Sequence, residues 1–390
     1  MPQLLVLTPA ELTRDVRAAR AVRAAIAEGY EVVGVSGQIS GETPVELAGV
    51  EIVRVGKPAR INPLWFGAPT PVGANRVLRE LRALFRLARV LARSARLWKA
   101  ARVFPSPDVV HANDLDTLPA GYALARRAHA RLVYDAHELY SEFDAPAPLL
   151  ARRLTLLLEG ALARRADAVV TVSEGIAEEL SARLRLTRPP LVVLNAPNRS
   201  TGTARPSATG PLRVVYQGGL GPGRELDDLL VAARATGVEL TIRIRMADPA
   251  RLRAEIERRG LADRVRVADP LPPSEALDAL TDFDVGVIFD RPRTRNSDLS
   301  VPNKLFEYLM AGLAVVAPHL ETLGPFITDE RVGRTYDPHR PDELPRVLEE
   351  LAADRAGLAE AQGRARALAL DRLNAEAATA TLAEAWGRAR

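Results

Sequence analysis

The sequence contains no cysteine. That excludes disulfides and thiolate metal sites, and a reducing compartment poses no difficulty. Aromatic residues are scarce, 5% against 47% hydrophobic residues in total, so the cores must be filled mainly by leucine, valine and alanine. Lysine is almost absent: Lys57, Lys99 and Lys304 stand among 53 basic residues. The resulting arginine excess reflects composition and by itself says nothing about nucleic acid. Long apolar runs are missing as well. Leu4 to Leu7 is too short for the apolar part of a secretion signal, and no stretch approaches a membrane span. A cytoplasmic protein is expected, and the sequon Asn198-Arg199-Ser200 is read as chance.

What is present is a regular alternation of strands and helices. At 390 residues the chain is long for one core, so two domains are expected. Strands are predicted at Leu4–Leu7, Glu31–Val35, Val50–Val55, Asp108–His111, Leu132–Asp135, Ala168–Val172 and Leu191–Leu194. Helices fall between them, one over Thr13–Glu28 ended by Gly29. A Pro-rich loop spans Pro58 to Pro71. Asn195 to Pro211 is rich in Pro, Ser, Thr and Gly and reads as a linker. The pattern then restarts, with strands at Leu212–Tyr216, Glu239–Ile244, Val265–Val267, Asp284–Phe289 and Leu313–Ala317, and ends in a helical stretch over Asp354–Arg390. Such alternation indicates two doubly wound parallel α/β sheets: residues 1–197, a linker over 198–211, and residues 212–371, followed by a terminal helix over about 372–390. Charge is uneven. Residues 1–197 carry 26 Lys+Arg against 20 Asp+Glu, and the remainder 27 against 29.

The most telling segment runs from Val301 to Val316. Ser300 reads as an N-cap, Pro302 sits in the first turn, and Gly312 ends a short helix before the apolar run Leu313–Ala317. A helix N-terminus gathers backbone N–H groups and a positive dipole end, which suits a phosphate. Glu307 lies about one and a half turns further in, where a carboxylate can accept hydrogen bonds from a ribose diol. An ordinary strand-loop-helix unit with a solvated Glu is the other reading of the same pattern.

This motif, Val301-Pro302-Asn303-Lys304-Leu305-Phe306-Glu307, resembles the donor-binding signature of retaining glycosyltransferases of the GT-B fold, in the large family that includes sucrose synthases and phosphatidylinositol mannosyltransferases. Four further segments resemble that family in the same order: Asp108–Asp114, Tyr134–Glu138, Ala166–Ser173, and Tyr216-Gln217-Gly218-Gly219-Leu220 with Arg224. The resemblance implies two Rossmann-like domains facing a central cleft, with the terminal helix crossing back onto the first. It implies a nucleoside-diphosphate sugar as co-substrate, no cofactor, and a glycan, lipid-linked or small-molecule acceptor. His137, Arg224 and Glu307 take the family's catalytic positions. Gly218, Gly219, Arg224, Leu299, Ser300, Val301, Lys304 and Glu307 take the donor phosphate and nucleotide positions, and His111 and Asp114 lie on the acceptor side. Two departures stand out. Gly219 occupies the place of a frequent arginine, which leaves open whether Lys304 compensates or is a solvated helix residue. Leu299, with Asp298 beside it, replaces a second carboxylate.

Asp114-Leu115-Asp116 and Asp282-Phe283-Asp284 form DxD patterns, which bind a metal in other transferases. Here they flank element starts, so capping explains them and no metal is expected. The segment 76–102 forms a basic amphipathic helix, with Arg76, Arg79, Arg82, Arg86, Arg89, Arg93, Arg96, Lys99 and Arg102 against the single acid Glu80. It is either a helix with a solvated arginine face or a contact for anionic membrane or a polyprenyl-diphosphate acceptor. No recognition motif accompanies the charge, so no nucleic acid partner is expected. The expected activity is retaining, metal-independent transfer of a hexose, as in polysaccharide biosynthesis, with front-face attack assisted by the leaving phosphate. The family's other chemistries, such as nucleotide-sugar epimerisation, and a catalytically silent partner subunit are the alternatives.

Overall fold

The computed structural model describes residues 1–13, 15–37, 47, 49–56, 75–104, 106–142, 148–202, 209–220, 226–244 and 249–388. The chain divides into two compact units. One comprises Met1–Leu194, Thr294–Asn296 and Ala378–Arg390, and the other Asn195–Arg293 and Ser297–Ala377.

The first unit is built on strands β1 (Gln3–Thr8), β2 (Glu31–Gly37), β3 (Glu51–Val55), β4 (Val109–Asn113), β5 (Arg131–Ala136), β6 (Ala168–Thr171) and β7 (Leu191–Val192). They pair in the order β3-β2-β1-β4-β5-β6-β7, all parallel. The strand order reverses between β1 and β4, the switch point where such sheets bind ligands. Parallel strands covered on both faces read as unbroken apolar runs, and β4 is buried along its whole length. The first helix, Val16–Ala27, starts where the Asp15 side chain accepts from the N–H groups of Arg17 and Ala18. The core under it holds Leu4, Val6, Val22, Val32, Val133 and Val170, closed by Tyr30 and Trp386, whose rings meet edge-on at 5.8 Å.

The second unit carries β8 (Arg213–Gly218), β9 (Glu239–Ile244), β10 (Val265–Ala268), β11 (Val285–Val287), β12 (Ala314–Pro318) and β13 (Gly333–Tyr336). They run parallel in the order β10-β9-β8-β11-β12-β13. Its core is a separate cluster that includes Val214, Tyr216, Ile242, Val287, Phe289 and Val316. The edge strand β13 was not expected from the sequence, because Gly333-Arg334-Thr335-Tyr336 has neither an apolar run nor a clear alternation. Asp284 does not act as a cap: its carboxylate accepts from the backbone N–H of Arg213 at 2.9 Å and from the Arg213 guanidinium at 2.8 Å, joining the start of β11 to β8. Among the described residues, no helix is long and apolar enough to cross a membrane.

One buried pair in the first unit makes stability depend on pH. The Tyr134 hydroxyl donates to Glu159 Oε1 at 2.8 Å. Burial pushes the Glu159 carboxyl up from 4.5 to about 7, with the tyrosine hydrogen bond pulling the other way. The folded state therefore holds a proton that the unfolded state gives up more easily. This stabilisation is complete below about pH 4.5 and is lost as pH rises through about 7. Glu159→Gln should raise the melting temperature at pH 8 and leave it nearly unchanged at pH 5. An equal shift at both pH values would show that the carboxyl is not titrating in this window.

Candidate functional site

In the first unit the C-terminal ends of β4 and β5 bring five sequence-selected or newly visible groups together. Asp135, the penultimate residue of β5, is 1% exposed. Arg17 from the first helix grips it with a two-pronged contact, Nε to Oδ2 at 2.8 Å and Nη2 to Oδ1 at 2.7 Å, the geometry a guanidinium fork favours. The same guanidinium donates to the carbonyl of Val193 at 2.6 Å and of Thr171 at 3.3 Å. His137, one residue beyond β5, places Nδ1 3.0 Å from Asp114 Oδ1 and Nε2 3.6 Å from Asp135 Oδ2. Asp114 adopts a left-handed backbone, φ 68°, a region aspartate tolerates, and its N–H bonds the carbonyl of Asp135 at 2.9 Å. The Tyr140 hydroxyl donates to the same Asp114 oxygen.

The charges follow from this packing. Burial alone would lift the Asp135 carboxyl, but Arg17 and then His137 hold it well below the usual carboxylate range. Burial alone would lower His137, yet Asp114 and Asp135 raise it to about 10. His137 is therefore an imidazolium at neutral pH, 18% exposed.

His111, expected on the acceptor side, is wholly buried inside β4. Its Nδ1 accepts from Trp386 Nε1 at 3.2 Å, which assigns the ring proton to Nε2, 3.5 Å from Asp135 Oδ2. The capping reading of Asp114 and Asp116 also fails. The helix Leu118–Ala128 has no side-chain cap bond at Thr117; Asp114 turns to His137 and Tyr140, and Asp116 pairs with Arg93 at 2.8 Å. Arg17, Asp135 and Trp386 were not singled out from the sequence. Arg17 is one of three arginines in its helix, and neither it, Asp135 nor Trp386 carried a sequence signal that set it apart.

In the second unit, β8 ends at Gly218 and the helix Asn303–Ala311 lies beside it. The helix opens at Pro302, φ −71° and ψ 144°, with no side-chain cap bond. Ser300 is thus not the N-cap: the short helix Arg295–Leu299 ends just before it, and Ser300 to Pro302 form the connection. The Leu299 side chain is buried. Gly312 closes the helix in the left-handed conformation, φ 77°, as glycine at this position readily does. Glu307 Oε2 accepts from Gln217 Nε2 at 2.9 Å, and Gln217 Oε1 accepts from Arg243 at 3.0 Å. Burial pushes the Glu307 carboxyl up, opposed by the Gln217 hydrogen bond and by Lys304. Lys304 is buried rather than solvated: its Nζ sits 4.5 Å over the Tyr216 ring and 3.6 Å from Asp290 Oδ2. Gly218 has φ 152°, and a Cβ there would stand 3.4 Å from Lys304 Nζ and 3.1 Å from the Tyr216 hydroxyl. At Gly219 a Cβ would meet nothing. Arg224 lies outside the described residues.

Residues 15–196 match the family model described as Glycosyltransferase Family 4. Among curated proteins, none matches the chain by sequence. Solved structures share its fold at low identity. Sucrose-phosphate synthase from Thermosynechococcus elongatus superposes with a TM-score of 0.74 at 15% identity, covering 99% of this chain and 98% of that one. HepE from Anabaena, solved in complex with UDP-glucose, gives 0.66 at 17% identity, covering 99% and 100%. An E. coli trehalose-6-phosphate protein bound with UDP-2-fluoro glucose gives 0.65 at 11%, covering 99% of each chain.

The Asp114–His137 contact generates a direct test. Removing the Asp114 charge leaves burial to act on His137 with one carboxylate fewer, so Asp114→Asn should lower the histidine titration midpoint by about one to three pH units. Imidazole NMR across pH 6–11 reads this. A midpoint unchanged from about 10 would mean that Asp135 alone sets the charge.

Proposed function

We propose that the chain, which has the GT-B fold and matches the Glycosyltransferase Family 4 model over residues 15–196, transfers a hexose from a nucleoside-diphosphate sugar, with UDP as the nucleotide, to a glycan or lipid-linked acceptor with retention at the anomeric carbon. The observation that carries this is the half-buried carboxylate of Glu307, held by Gln217 and carried on a helix that starts beside the Gly218 turn. A carboxylate at that depth answers to the hydroxyls of a ribose, and the adjoining helix end and Lys304 answer to a diphosphate. Structures of similar fold were solved with UDP and UDP-glucose, which supports the choice of nucleotide.

Breaking the bond to the diphosphate builds negative charge on the leaving oxygen, and fixed positive groups stabilise it without reorganising. Arg224, Lys304 and the helix end supply that charge in this proposal, so no metal is required. His137, protonated in the free enzyme, donates to the sugar or its leaving phosphate. With no protein nucleophile assigned, the acceptor attacks on the face that the leaving phosphate vacates. The helix Arg76–Ala101, with Leu81 and Phe85 more than half exposed, rests on an anionic membrane surface on the inner face of the membrane. Replacing Arg79 and Arg82 by Gln should weaken binding to anionic vesicles and flatten its salt dependence; absence of any vesicle binding by the wild type refutes the membrane contact.

Replacing Glu307 by Gln keeps size and one acceptor oxygen but removes the charge. A charge-assisted hydrogen bond is worth about 1.5–3 kcal/mol, so UDP affinity measured by calorimetry should fall by roughly one to two decades. The 2′,3′-dideoxy nucleotide should bind the wild type poorly and lose little more in the mutant. Equal UDP affinity in both proteins would remove the donor assignment. Transfer should also survive excess EDTA; loss restored by magnesium or manganese would show that the cationic residues do not suffice.

A further inference from the structure

Gln217 is the last residue but one of β8, and its register partner on the neighbouring strand β9 is Arg243. Register partners on adjacent parallel strands project from the same face of the sheet, because side chains alternate between faces along each strand. On that face Gln217 is clasped twice to the helix Asn303–Ala311. Its backbone N–H donates to the Tyr308 hydroxyl at 3.0 Å, and its side chain donates to Glu307 Oε2 at 2.9 Å. Arg243 completes the line. It is 8% exposed, its Nη1 donates to Gln217 Oε1 at 3.0 Å, and its Nε is buried without a hydrogen-bond partner. A buried arginine is ordinarily paired with an acid; this one ends on an amide.

The amide can then lie only one way. Arginine has donors and no acceptor, so the Gln217 carbonyl faces Arg243 and its NH2 group faces Glu307. The reversed amide would set N–H against N–H on one side and oxygen against oxygen on the other. The NH2 group needs a lone pair from Glu307, which the ionised carboxylate offers, and it occupies Oε2 only. Other charges act on this line from nearby. Burial lowers the pKa of Arg243, Tyr308 and Asp282 oppose that, and Arg266 adds to it, while Lys304 is the other cation acting on Glu307. We infer that Arg243 and Gln217 form a relay that keeps Glu307 ionised and leaves Oε1 to the ribose diol. Both are thus positioning residues for the nucleotide that act through Glu307. The inference deepens the proposed reading of Glu307 as the ribose carboxylate and rests on it.

The test begins with ligand-free protein, in which the Glu307 carboxyl is titrated by carbon NMR. Arg243→Met removes a cation and Gln217→Met removes a donor, so each should move the Glu307 midpoint up by about one pH unit. Calorimetry then compares UDP with its 2′,3′-dideoxy form. In Arg243→Met, affinity for UDP should fall about tenfold, while affinity for the dideoxy form stays within about twofold of wild type. UDP binding weakens on acidification as Glu307 takes up its proton, so this weakening should begin at a higher pH in the variant. Once Gln217→Met is in place, adding Arg243→Met should cost little further UDP affinity. Thermal melting is followed in parallel, since a merely structural tie would lower the melting temperature and weaken both nucleotides alike. Equal losses for UDP and the dideoxy form, full additivity of the two substitutions, or an unmoved Glu307 midpoint overturns the relay. A wild type that binds no UDP, with a Glu307 midpoint that both substitutions move, upholds the relay and removes the nucleotide reading instead.

Discussion

The buried carboxylate of Asp135 is the constraint on which the first unit depends. Placing an ionised carboxylate in a core costs several kcal/mol unless it is paired, and Arg17 meets that requirement while also bonding the ends of β6 and β7 through Thr171 and Val193. One guanidinium thus ties the first helix to three strand ends. Arg17 satisfies only part of the carboxylate, and the remaining oxygen surface faces His111 and His137. With Asp114 added, two carboxylates stand against Arg17 and His137. That balance is why His137 keeps its proton although burial opposes it. The structural pair and the candidate catalytic group are therefore one electrostatic unit.

The position of Trp386 extends that unit to the end of the chain. Its indole N–H fixes the tautomer of His111, and His111 in turn presents its own N–H toward Asp135. His111 thus lies between Trp386 and the Asp135 carboxylate as a buried support. Residues that touch a ligand and residues that hold them are alike in sequence, and burial alone separates them. His111 sits inside β4 and His137 one residue beyond β5, and only His137 retains access to solvent.

Most of the fold was legible because its signals are local. Parallel strands covered on both sides produce apolar runs such as Val109-Val110 and Leu313 to Ala317, and Gly29 and Gly312 mark helix ends through backbone conformations that they adopt freely. The misses came where a partner distant in sequence decides the outcome. Arg17 and Asp135 are 118 positions apart, and nothing near either predicts a pair. Asp114, Asp116 and Asp284 look like caps locally but are claimed by His137, Arg93 and Arg213. Ser300 resembles an N-cap, yet Pro302 has the extended backbone that a cap position needs and stands nearer the helix. The edge strand β13 lacks an apolar signature because only one neighbour, β12, has to recognise it.

The second unit solves a related problem with neutral groups. Gln217 stands between two charges, donating to Glu307 and accepting from Arg243. An amide in that place passes the influence of a buried guanidinium to the carboxylate without forming an ion pair with it. A direct arginine contact would lower the Glu307 carboxyl and occupy its lone pairs, leaving fewer for a ligand. Burial instead keeps it raised, a condition that favours binding of hydroxyl donors, since each one compensates a desolvated oxygen. Lys304 is treated likewise: the Tyr216 ring and Asp290 hold its ammonium at the Gly218 turn, and glycine at 218 leaves that approach open because a Cβ there would crowd both the ammonium and the tyrosine hydroxyl.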